Sequence, residues 1–210
     1  MKIIAVGMNY RKHLPELDSP EPAEPVLFIK PDSSLTTATA QRPSVNMPFF
    51  LPDFSDELHY ETEIVVRINK LGKNIDERFA NRYYDDVTVG LDLTARDLQR
   101  KLRSQGLPWE ISKGFDQSAV VGEFIPLNET GTIQDLTFSL MINGKTVQTG
   151  HTADMIFSVD KIVAYASRFF TLKTGDLIYT GTPSGVGQLV VDDHLEGFLG
   201  EKKLLDLRIK

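Results

Sequence analysis

The stretch Leu58-His59-Tyr60-Glu61-Thr62-Glu63-Ile64-Val65-Val66 constrains the fold of this 210-residue chain more than any other. It alternates as a strand does. Side chains at i and i+2 of a strand point to one face, so Glu61 and Glu63 share their surroundings. An isolated Glu-x-Glu is usually the solvated side of a strand. Here Ile64, Val65 and Val66 are apolar on both faces, the pattern of a strand covered on both sides. A third acid, Asp92, closes another apolar run, Val87-Thr88-Val89-Gly90-Leu91. Carboxylates that converge away from water repel unless a cation joins them or one takes a proton. Oxygen donors suit a hard divalent ion, so Glu61, Glu63 and Asp92 are expected to hold Mg²⁺ or Mn²⁺, with coordination sites left for a substrate.

The remaining chain reads as further strands with few helices. Ile3–Val6 is an opening strand ended by Gly7, and Val26–Ile29 is another, stopped by Lys30-Pro31. Between them Pro15, Pro20, Pro22 and Pro25 rule out a long helix, because each removes a donor and clashes with the turn before it. A short helical turn over Arg11–Leu14 leading into a mobile polar loop is expected, a lid over about residues 10–25. Leu58–Ile68 is the longest expected strand. Asp76–Tyr84 and Thr94–Gln105 read as helices, the second stopped by Gly106. Asn143-Gly144 after the run ending at Ile142 is the strongest hairpin signal. Val159, Ile162, Val163, Ala166 and Phe169 recur at helical spacing. Strands are also expected over Leu177–Tyr179 and from about Leu195 to Ile209. Without a βαβ rhythm or a repeat, the class is α+β, β-rich, with curled sheets and peripheral helices.

At this length one domain spanning 1–210 is expected. The net charge of −6, with no Lys/Arg cluster, argues against a nucleic-acid partner. Cysteine is absent, which excludes disulfides, thiolate zinc sites and a cysteine nucleophile. No run approaches the roughly 18 apolar residues of a membrane span, and the first residues lack the pattern of a signal peptide, so a cytoplasmic protein away from membranes is expected.

Several polar residues can carry chemistry beside the acids. His13 and Glu16, three apart in a turn, suit a carboxylate that orients an imidazole base, although two solvated residues on a loop would look the same. Lys113 can neutralise a substrate carboxylate or a developing oxyanion, and Gln99 can add a neutral hydrogen bond. The segment from Gly175 to Gly187 sets a glycine-rich loop after a strand, where backbone amides and the Thr182 hydroxyl can cradle an anion. It is no Walker A loop. His13, His59, His151 and His194 lack metal-ligand spacing, and neither a Gly-x-Ser-x-Gly elbow nor a dinucleotide fingerprint is present.

In order along the chain, Gly7-Met8-Asn9-Tyr10-Arg11-Lys12-His13, Pro25 to Pro31, His59-Tyr60-Glu61-Thr62-Glu63, Gly90 to Gln99, Gly106-Leu107-Pro108-Trp109 with Lys113, and Thr180-Gly181-Thr182-Pro183-Ser184-Gly185-Val186-Gly187 resemble the fumarylacetoacetate hydrolase superfamily. The similarity spans nearly the whole chain and is strongest to the short acylpyruvase and oxaloacetate decarboxylase branch. It implies a mixed-sheet roll of the family's C-terminal-domain type, usually a homodimer. It makes Glu61, Glu63 and Asp92 the ligands of Mg²⁺ or Mn²⁺, and His13 with Glu16 a dyad on a lid that orders with substrate. It puts Gln99 and Lys113 in the pocket, and Gly181 and Thr182 beside the substrate carboxylate. Met8 departs from the family, where arginine is common, as does Gly114, where serine is frequent. The expected reaction is cleavage of a C–C bond in a small keto acid through a pyruvate enolate, by acylpyruvate hydrolysis or oxaloacetate decarboxylation. The alternatives are an isomerase, tautomerase or hydratase of hydroxymuconate-type diacids or oxaloacetate and, more remotely, a non-catalytic metal-binding protein.

Overall fold

The structure, a computed structural model, describes residues 1–17 and 20–210. Asp18 and Ser19, part of the expected lid, lie outside the described residues. In chain order the strands and helices are β1 (Ile3–Gly7), β2 (Val26–Lys30), β3 (Leu35–Thr37), β4 (Leu58–Tyr60), β5 (Thr62–Ile68), β6 (Tyr84–Asp92), β7 (Thr94–Ala95), α1 (Arg96–Ser104), α2 (Glu110–Lys113), β8 (Ala119–Val121) and β9 (Ile125–Pro126). They continue with β10 (Thr137–Ile142), β11 (Lys145–His151), α3 (Val159–Phe169), β12 (Leu177–Tyr179), β13 (Gly187–Gln188), β14 (His194–Leu199) and β15 (Lys202–Arg208). Among the described residues no helix is long and apolar enough to cross a membrane.

The largest sheet runs β2-β1-β12-β5-β6-β8-β3, with β9 also on β6. It is mixed, because β1 lies parallel to β12 and β3 parallel to β8 while the other pairs are antiparallel. A second sheet, β11-β10-β14-β15, is antiparallel throughout. Side-chain alternation covers the main sheet on both faces. Ile64, Val66, Val87 and Val89 pack with Ile162, Val163 and Ala166 of α3, whereas Val65 packs with Ile3, Ala5 and Tyr179 on the opposite face. Leu91 and Val120 meet Leu140, Leu195 and Leu205 of the second sheet. The fold is thus the β-rich α+β roll expected, with peripheral helices.

Three local expectations change. The run Leu58–Ile68 is two strands rather than one, and β6, of nine residues, is the longest. The chain changes sheets at Glu61, since β4 pairs with β7 and β13 while β5 pairs with β6 and β12. The segment expected as a helix from Asp76 is a short 3₁₀ helix, Glu77–Arg82, whose first turn is capped by the Asp76 carboxylate accepting from the Arg78 amide at 3.0 Å. Thr94 and Ala95 are not helical but pair with His59 and Leu58 before α1 begins. The hairpin at Asn143-Gly144 stands, with φ of 52° and 77° at the two positions that a mirror-image turn places at positive φ.

Candidate metal centre

The ladder between β5 and β6 assembles the three acids. Its register pairs Thr62 with Leu91 and Glu63 with Gly90, and the Asp92 amide donates to the Glu61 carbonyl at 2.8 Å. Asp92 therefore stands opposite Glu61, and directly opposed side chains are close neighbours. Glu63, two residues on, shares their face. One carboxylate oxygen from each of the three lies within 4.8 Å of the others, and all three residues are buried.

Three buried cations answer them. Lys113 Nζ donates to Glu61 Oε2 at 2.6 Å and to Asp92 Oδ2 at 2.7 Å. Arg96 donates to Glu61 Oε1 at 2.5 Å and to Gln99 Oε1 at 2.6 Å. Lys30, which is fully buried, sits 2.6 Å from Asp92 Oδ1 and donates to the Ser118 carbonyl at 2.9 Å. Burial alone would raise the Glu61 pKa, but Lys113 and Arg96 outweigh it and hold the carboxyl below its usual range. Burial likewise opposes the Lys113 charge, yet Asp92 and Glu61 keep that ammonium above its ordinary value. Lys30 is pushed down, chiefly by burial. Glu63 carries the unresolved strain: burial, then Asp92 and Glu61, hold it well above the carboxylate range although it accepts the Gly181 amide at 2.7 Å. An all-oxygen donor set in which one acid is ionised only at a cost fits a hard divalent cation. A second cluster, His194, Glu196 and Asp206, differs in that His194 and Glu196 are only half-buried and Lys203 Nζ lies 2.9 Å from both of its carboxylates. In the triad, by contrast, Glu63 is a buried acid facing two others.

The lid lies on this centre. A 3₁₀ helix runs over Arg11–Leu17, three residues beyond the expected turn and with Pro15 inside it. Its root is pinned by buried Asn9, whose side chain donates to the Thr180 carbonyl at 2.7 Å and accepts from the Phe157 amide at 2.8 Å. His13 is buried, with Nδ1 2.7 Å from Glu16 Oε2, and Glu16 Oε1 accepts the Gly185 amide at 2.9 Å. His13, Gln99, Lys113 and Thr182 line one cavity with the three acids, walled also by Val6, Phe28 and Trp109. Gly181, beside Thr182, turns its amide onto Glu63 Oε2 at 2.7 Å. The Thr182 hydroxyl is spent as well, donating to the Thr62 carbonyl at 2.9 Å and accepting from Gln148 at 3.0 Å. Residue-type reasoning missed Lys30 and Arg96. A lysine ending the apolar run Val26–Ile29 was the available signal for the first, and nothing local marked the second.

The sequence profile described as fumarylacetoacetate (FAA) hydrolase C-terminal matches residues 2–210. Oxaloacetate tautomerase YcgM of Escherichia coli (strain K12) is 43% identical over 195 residues, covering 92% of this chain and 86% of that protein. The mitochondrial oxaloacetate decarboxylase of Dictyostelium discoideum is 40% identical over 187 residues, 89% of this chain and 83% of its own length. The crystal structure of fumarylpyruvate hydrolase from Pseudomonas aeruginosa, in complex with Mn²⁺ and pyruvate, superposes with a TM-score of 0.92 at 35% identity, covering 100% of this chain and 89% of that one.

Proposed function

The chain belongs to the fumarylacetoacetate hydrolase superfamily, and on that premise we propose that it is a divalent-metal-dependent enzyme that turns over a small 2-oxo acid of the oxaloacetate type through its enolate. The observation that carries the reading is the buried triad of Glu61, Glu63 and Asp92 with Lys113 and His13 in the same cavity. Mg²⁺ or Mn²⁺ held by the triad would supply a Lewis acid for the substrate's carboxylate and 2-oxo oxygens. Lys113, in the same cavity, places positive charge where the enolate oxygen becomes negative, while Lys30 balances Asp92 from the buried side. Glu16, accepting from Nδ1, selects the His13 tautomer whose Nε2 is the base, and the Gly185 amide holds Glu16 in turn. His13 Nε2 takes the proton from C3 of the keto form and passes it to the 2-oxo oxygen to give the enol; in the reverse direction it takes the enol proton and delivers it to C3. Val6, Phe28 and Trp109 keep bulk water from the charge that develops.

Keto–enol interconversion of oxaloacetate needs nothing beyond that proton transfer, and the similarity to a tautomerase supports placing it first. Hydrolysis of an acylpyruvate is the second reading, favoured by the His13–Glu16 pair, which is equally suited to taking a proton from a water. Decarboxylation of oxaloacetate would reach the same pyruvate enolate. The protein is further proposed to be cytoplasmic and a homodimer; for the dimer, exposed Phe54 and Ile111 border an apolar groove with Leu98 and Phe115 that a second copy would cover. The test of function follows the ultraviolet absorbance of enol-oxaloacetate, and pyruvate release from oxaloacetate and acetylpyruvate, with Mg²⁺ or Mn²⁺ and again with EDTA. Metal-dependent decay of the enol without pyruvate supports the first reading, and pyruvate from acetylpyruvate promotes the second. No metal-dependent change in any of the three refutes both.

A further inference from the structure

The cavity at the triad is about 30 Å³, room for one ion or one water. A substrate that reaches an ion held there must therefore extend into adjoining space. Helix α1 sets Arg96, Gln99, Arg100 and Arg103 at i, i+3, i+4 and i+7, on one face. That face walls a chamber of about 480 Å³ with His59 and Glu16. Gln99 and Arg103 line both spaces, so they form the partition between them. The apolar groove beside Leu98 shares no lining residue with the triad cavity.

The charge of the chamber is lopsided. Three guanidinium groups meet one carboxylate, Glu16, which is committed to His13 and Gly185. Arg96 is engaged by Glu61 and Gln99. Arg100 is forked onto Glu57, whose Oε1 also lies 3.0 Å from His59 Nε2. That contact leaves His59, which also lines the chamber, turned toward Glu57 through Nε2. A lining that carries three guanidinium groups against one carboxylate suits a polar, anionic ligand.

We propose that the chamber is the subsite for a second, distal carboxylate, with Arg103 as the residue that makes the protein select 2-oxo dicarboxylates over 2-oxo monocarboxylates. Arg103 is favoured over its neighbours because it alone of the three arginines borders both the triad cavity and the chamber. A guanidinium there meets a carboxylate in a charge-assisted, two-pronged contact. The chamber exceeds what one carboxylate fills, so diacids longer than oxaloacetate are admitted. The proposal rests on the enolate reading for the placement of the first carboxylate.

The test is calorimetric binding, with Mn²⁺ present, of 2-oxoglutarate and 2-oxopentanoate, which share chain length and chelating end and differ in carboxylate against methyl at the far end. The wild type is expected to bind the diacid roughly 10- to 100-fold tighter, the range of a charge-assisted hydrogen bond. Arg103→Gln brings that ratio close to one, and Arg103→Lys restores part of it. Thermal melts of both variants verify folding. A wild-type ratio near one, or an Arg103→Gln variant that keeps the wild-type ratio, overturns the subsite and leaves the enolate reading standing. Failure of the wild type to bind either acid, with no effect on enol-oxaloacetate, overturns the enolate reading and the subsite with it.

Discussion

Glu63→Gln separates metal binding from ordinary folding. Glu63 is 1% exposed, accepts the Gly181 amide at 2.7 Å, and has a pKa raised well above 4.5 by burial, Asp92 and Glu61. Glutamine has the same shape, keeps an oxygen for Gly181 and has no proton to lose. Below the raised pKa the metal-free wild type is neutral at this position too, so the substitution costs at most one net hydrogen bond, about 0.5–1.5 kcal/mol. The pH dependence then differs in sign. An acid whose folded pKa is raised binds more protons folded than unfolded, so this group makes the metal-free wild type lose stability as pH climbs from 4.5 through the raised value. Glu63→Gln abolishes that loss. With metal the order reverses: an ion at 100 times its dissociation constant stabilises by about 2.7 kcal/mol, roughly 5–11 °C in melting temperature for a chain of this size. Calorimetric melts of both proteins, in EDTA and in Mn²⁺ at two pH values either side of neutrality, measure each quantity. A variant that keeps the full Mn²⁺-dependent rise refutes the assignment of Glu63 as a ligand. A metal-free variant several kcal/mol less stable than wild type refutes the neutral-acid argument.

Three further outcomes are expected. His13→Ala should lower kcat on the preferred substrate by roughly 10²- to 10⁴-fold, the usual worth of a general base, while leaving the Mn²⁺-dependent melting rise; an unchanged kcat would remove His13 from the chemistry. Gly181→Ala should destabilise by about 2–4 kcal/mol in urea unfolding, because φ is +97° there and a Cβ would lie 2.7 Å from Asn9 Cβ and 3.3 Å from the Val6 carbonyl. Tyr179→Phe removes the bond its fully buried hydroxyl donates to the Val120 carbonyl at 2.9 Å, and should cost about 1 kcal/mol by the same measurement.

Local signals carried the hairpin, the apolar stripe of α3 except at Phe169, which is exposed at the helix end, and the strand identity of Ile64–Val66, since turn residues and side-chain periodicity are properties of neighbouring residues. The same signals failed at Glu61. Its flanks alternate without interruption, and the break comes from two sheets competing for one stretch of chain. They failed again over Glu77–Arg82, where apolar content is consistent with a helix but the i→i+3 bonds Phe79 to Asp76 and Tyr83 to Ala80 hold a tighter coil.

The candidate site divides in the same way. The sequence by itself determined that Glu61 and Glu63 face one direction and that their strand is covered on both sides, because alternation is set by backbone geometry within a few residues. That Asp92 stands opposite Glu61 is a matter of register between strands some thirty residues apart in sequence, and it becomes definite only when Val65 and Gly90 close against Tyr179. Lys30 and Arg96 were decided later still. Each is a cation in an otherwise unremarkable run, and each reaches the acids from a different element, the end of β2 and the first turn of α1. Burying three carboxylates demands compensating charge from somewhere, but only the packed structure decides which cations are within reach.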